Sequence, residues 1–137
     1  MWWIYALLSA TFAALTAIFA KIGIKGVDSD LATAIRTVII LIIAWGIALY
    51  KGSAENMGAL NKTNWLFLVL SGCATGLSWI FYFKALQLGK VSQVAPVDKL
   101  SVALAIILSV VFLKEPLTLK SSLGALLIIS GTLVMIF

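Results

Sequence analysis

The chain has 137 residues, 63% of them hydrophobic and 11% charged, with a formal net charge of +5. Soluble domains run near ~45–50% apolar and ~25% charged, so so few charged side chains cannot cover a water-exposed surface. Composition excludes soluble, disordered and nucleic-acid-binding classes, and the basic excess reads as membrane-flanking charge.

Residues 2–20 form the first charge-free run, closed by Lys21 and Lys25. It lacks a basic start and exceeds a usual signal-peptide core, so it predicts a spanning helix over about 2–22. Residues 26–30 read as a turn, with Ser29 or Asp30 expected to cap a second span over about 31–50. Residues 52–64 are the longest polar connection, and a third span follows over about 64–84. A turn near Lys90 leads to a fourth span over about 91–113, apolar except for Ser92, Gln93, Asp98 and Lys99. Lys114, Glu115 and Pro116 end it, and the fifth span covers about 117–137. Pro116 suits its first turn, where Glu115 would complement the helix dipole. The expectation is an all-α integral membrane bundle of five transmembrane helices, one domain over 1–137, with its ends on opposite sides.

Trp2, Trp3, Tyr5, Trp45, Tyr50 and Trp65 all fall near one interface when the spans alternate, as an aromatic belt does. The lysines do not discriminate. Lys51, Lys62, Lys114 and Lys120 flank that side; Lys21, Lys25, Lys84 and Lys90 flank the other, which Arg36 also approaches. A balance this even leaves two readings: one orientation set by a partner or a single helix, or copies inserted both ways and paired antiparallel.

The chain contains no histidine and one cysteine, Cys73. His-dependent triads, His-containing zinc sites and intrachain disulfides are therefore excluded, and Cys73 reads as a packing residue. No paired carboxylates or activated nucleophile point to an enzyme. Neither a cofactor nor a metal is expected.

Ionisable residues inside spans cost at least ~2.5–3.5 kcal/mol each on insertion scales, and so mark function by default. Asp98 and Lys99 are adjacent, which on a regular helix turns them to different partners. Lys84 and Asp98 lie at equal sequence distance from the turn near Val91, and Lys84–Asp98 is the expected pair. Lys21 and Arg36 enter from the same side. Pro96 can break the fourth span and free backbone groups, bringing Gln93, Pro96, Asp98 and Ser101 together around the break. Two readings remain open: lysines that snorkel to headgroups, or a cavity rich in positive charge that takes a carboxylate, phosphate or zwitterion. Small residues mark packing faces: Ser9, Ala13 and Ala17 continuing to Lys21; Gly72 with Gly76; Ser101, Ala105 and Ser109; Gly124 with Gly131.

The stretch 82–96, Tyr-Phe-Lys-Ala-Leu-Gln-Leu-Gly-Lys-Val-Ser-Gln-Val-Ala-Pro, resembles the EamA-type domain of the drug/metabolite transporter superfamily. Phe112-Leu-Lys-Glu-Pro116, Leu119, Gly124 and the closing Leu-Ile-Ile-Ser-Gly131 run extend the resemblance, as do Lys21 and Arg36. It implies a secondary transporter of small metabolites, commonly an exporter, in a prokaryotic cell (inner) membrane. Members of that family usually carry two such domains of opposite topology, whereas this sequence holds one repeat. An antiparallel homodimer working by alternating access is the implied assembly. Asp98 would then serve coupling or charge balance, and Lys21, Arg36, Lys84 and Lys99 would bind anionic groups of the substrate. A non-transporting half-subunit needing another chain, or a lipid-carrier flippase, are the alternatives.

Overall fold

A computed structural model describes all 137 residues. Six α-helices run over Trp2–Gly23 (α1), Ser29–Tyr50 (α2), Lys62–Leu88 (α3), Val91–Asp98 (α4), Leu100–Phe112 (α5) and Leu119–Ile136 (α6). A short 3-10 helix at Ser53–Ala59 links α2 to α3. With α4 and α5 taken as one interrupted crossing, five segments are long and apolar enough to span a membrane. The chain divides into two compact units, residues 1–18 with 88–137, and residues 19–87.

Local chemistry sets the boundaries. Asp28, not Ser29 or Asp30, caps α2: its Oδ1 accepts from the backbone N–H groups of Asp30 and Leu31 at 3.0 and 3.1 Å. The chain is extended at Asp28, so its carboxylate reaches the first unpaired donors of the helix. Within the 27-residue α3 the helix continues past Lys84 to Leu88. At about 40 Å it exceeds the ~30 Å hydrocarbon layer and carries the residues around Lys84 toward the interface.

The fourth crossing is broken, although not at the proline itself. Pro96 sits inside α4, and the helix ends two residues later, with Lys99 as the joint before α5. Lys99 N–H is shared between the carbonyls of Ala95 and Pro96 at 3.3 and 3.1 Å, a tightened last turn. Beyond α5, Lys114 adopts a left-handed conformation with φ 55°. Residues 113–118 are non-helical, so Pro116 lies outside α6 rather than in its first turn. Thr118 and Ser121 form a reciprocal capping box, which also displaces Glu115 from the capping role expected of it.

Hydroxyls within the spans bond back to their own helices, as Thr11 does to Leu7, Thr75 to Ser71 and Ser130 to Leu126. No buried side-chain polar atom is left without a partner. That accounting is what a lipid environment demands.

Candidate functional site

Within residues 19–87, three helix ends converge through one stripe each. On α3, Phe83 and Leu86 are three apart and fully buried, at 2% and 0% exposure. Ser29 and Thr33 on α2 are buried, and Arg36 continues the same face at a spacing of three. Ala20 near the end of α1 and Ile24 in the turn just beyond it are buried, with Lys21 between them half-buried.

The cations of this cluster find different anchors. The Arg36 guanidinium lies 4.0 Å from the centroid of the Phe83 ring. Tyr82 meets Phe83 edge-on, with ring centroids 5.5 Å apart. Lys21 Nζ donates to the Leu86 carbonyl, so its ammonium faces protein, as the stripe through Ala17 suggests. Gln87 Nε2 donates to the Val27 carbonyl at 2.8 Å, tying α3 to the turn before α2. No carboxylate among residues 19–87 pairs with Arg36. The Phe83 ring face attracts the guanidinium without accepting from its planar N–H fork, the edge that suits an anion.

Lys84 does not join this cluster. It follows Phe83 by one residue, about 100° around the helix, and is exposed. The Asp98 carboxylate pairs with Lys99 at 3.1 Å. Adjacent side chains diverge on a regular helix, but Lys99 occupies the joint between α4 and α5, where its long stem can fold back. Both side chains keep contact with their surroundings, at 58% exposure for Lys99 and 33% for Asp98.

Around the break, the Pro96 carbonyl accepts from Thr132 Oγ1 of α6 at 3.2 Å. The same hydroxyl bonds the Ile128 carbonyl at 2.8 Å, and Thr132 is buried. Gln93 and Ser101 are exposed and make no side-chain hydrogen bond. Of that expected group, then, only Asp98 and Pro96 have partners other than solvent or lipid. The glycines expected at helix contacts, Gly72, Gly76, Gly124 and Gly131, meet no atom within 4 Å of where a Cβ would stand. Within the chain they hold no close approach. Ala103 and Thr132 are the buried small residues of α5 and α6.

Sequence reasoning missed Phe83, Leu86, Gln87 and Thr132. The first three share one face of α3 at spacings of three and four, a legible signal overshadowed by the charge on Lys84. Thr132 gave none, because its role depends on which carbonyl Pro96 presents to α6.

Five apolar crossings define a multi-pass membrane protein, and Arg36 sits within one of them. The chain belongs to the EamA-like transporter family, whose profile matches residues 1–137, and it is a membrane transporter. It is 48% identical over 134 residues to a Sinorhizobium protein named "uncharacterized transporter in cobO 3' region", covering 98% of this chain and 95% of that protein. A protein of Methanocaldococcus jannaschii, named as uncharacterized, is 31% identical over 132 residues, or 96% and 93% of the two chains. No solved structure matches.

Proposed function

We propose that the protein is a secondary transporter, an exporter in a prokaryotic inner membrane, for small anionic or zwitterionic metabolites such as amino acids. The observation that carries this reading is Arg36: a half-buried cation inside a span, stacked on Phe83, with no acidic partner. A guanidinium held on an aromatic face without a carboxylate beside it favours a carboxylate or phosphate that can take its planar fork. The working assembly is an antiparallel homodimer that alternates access by rocking one protomer against the other. Two facts support it: the even division of lysines between the two sides, and relatives whose own length is covered to 95% and 93% by a single five-span repeat.

Thermal stabilisation of the purified protein by amino acids, nucleotides and sugar phosphates tests the substrate class, since a bound ligand raises apparent stability in proportion to ln(1+[L]/Kd). An anionic or zwitterionic solute should stabilise the wild type and not Arg36→Ala. Stabilisation by a cationic or neutral solute alone, or undiminished in Arg36→Ala, rejects the reading. A C-terminal topology reporter should appear on both faces of the membrane; its confinement to one face rejects the antiparallel homodimer.

A further inference from the structure

The end of α2 and the 3-10 helix enclose a second feature, independent of the Arg36 cluster. Gly52 takes a left-handed φ of 69°, which turns the chain back so that Ser53–Ala59 lies against α2. Between them runs an open groove of about 360 Å³, walled by Trp45, Ala48, Ala54 and Met57, with Ser53 and Asn56 as its polar lining. That volume falls within the ~300–1,000 Å³ of small-molecule sites. Lys51 and Lys62 bracket the groove in sequence, both exposed, and Glu55 is the only acid between them. Neither lysine is in an ion pair.

We propose that this groove is a binding site for an anionic phospholipid, one acyl chain against Trp45, Ala48 and Met57, and the headgroup phosphate on Lys51 and Lys62. Three observations converge on that occupant. The walls are apolar, as an acyl chain requires. Trp45 and Tyr50 belong to the aromatic residues expected at one interface, so the groove opens where acyl chains meet headgroups. The two unpaired lysines supply charge complementary to a phosphate, and juxtamembrane lysines each strengthen attraction to anionic lipid. A zwitterionic lipid would fill the apolar walls equally well yet gain little from the lysines.

Tryptophan quenching by brominated lipids tests the site. The protein is reconstituted into phosphatidylcholine vesicles containing increasing brominated phosphatidylglycerol or, separately, brominated phosphatidylcholine. The component that differs between wild type and Trp45→Phe should saturate at about tenfold lower mole fraction of the phosphatidylglycerol. In the Lys51→Ala/Lys62→Ala double variant the two lipids should quench alike. The other four tryptophans report whether each variant is folded and inserted. Equal Trp45-dependent quenching by both lipids in the wild type overturns the proposal. So does a Trp45 shielded from both, which would mean that protein covers the groove.

Discussion

The guanidinium of Arg36 on α2 rests 4.0 Å from the ring centre of Phe83 on α3. This contact lets a formal positive charge remain inside a span without an acid beside it. The ring face carries partial negative charge and attracts the cation without neutralising it, worth about 0.5–2 kcal/mol depending on desolvation. A carboxylate partner would have stabilised Arg36 more and left it closed to any other anion. Phe83 thus positions the charge without accepting a hydrogen bond from its N–H edge.

Phe83→Leu should retain most of the buried volume while removing the stack. We expect a loss of about 1–2 kcal/mol in unfolding free energy in detergent. Affinity for an anionic ligand should weaken by several-fold. Arg36→Lys should weaken it by roughly tenfold, because an ammonium offers neither the planar fork nor the same stacking. Both effects are read from ligand-induced shifts in melting temperature, and equal affinity in wild type and Arg36→Lys would remove Arg36 from the site.

Lys21 differs from Arg36 in having a protein acceptor, the Leu86 carbonyl. Lys21→Met keeps the apolar stem and deletes a charge-assisted hydrogen bond, which costs about 1.5–3 kcal/mol. The expected result is a lower melting temperature with ligand affinity changed little. Unchanged stability with lost binding would make Lys21 a substrate contact instead.

Asp98 contributes little to the fold, because its partner is a neighbouring lysine and both are accessible. Asp98→Asn should therefore insert and melt like the wild type. Its transport in proteoliposomes should be impaired at least tenfold if the carboxylate carries coupling charge. Normal transport by a folded Asp98→Asn protein would exclude that role.

Thr132→Val should remove the hydroxyl that joins α6 to the Pro96 carbonyl without changing side-chain volume. The cost is about 1 kcal/mol, and Thr132→Ser should recover it. Hydrogen exchange provides a local measure: amides of residues 97–102 should exchange faster in Thr132→Val only.

Five crossings, their order and their approximate ends were legible in the sequence, because each apolar run must be long enough to cross the bilayer and each charge is costly inside it. For Lys21 the sequence left two readings open, snorkelling or facing protein, with the small-residue spacing along α1 pointing to the second. Whether a cation is used or spare was not legible. Lys84 looks as embedded as Arg36 in the linear sequence, yet one residue of helical rotation turns it outward while Phe83 and Leu86 turn inward. The Asp98–Lys99 pair and the Thr132–Pro96 bond were equally hidden, since both depend on where the fourth crossing breaks.

The composition, 63% hydrophobic over 137 residues, determined by itself that this is a membrane-embedded helical protein. Transfer free energies sum along a segment and need no partner to be counted. Only the tertiary structure decided that Arg36 stands on an aromatic ring without an acid, and that Lys21 is already satisfied by a backbone carbonyl. Those outcomes depend on which helix faces meet, and side-chain pairing across helices is set by packing geometry that no single segment contains.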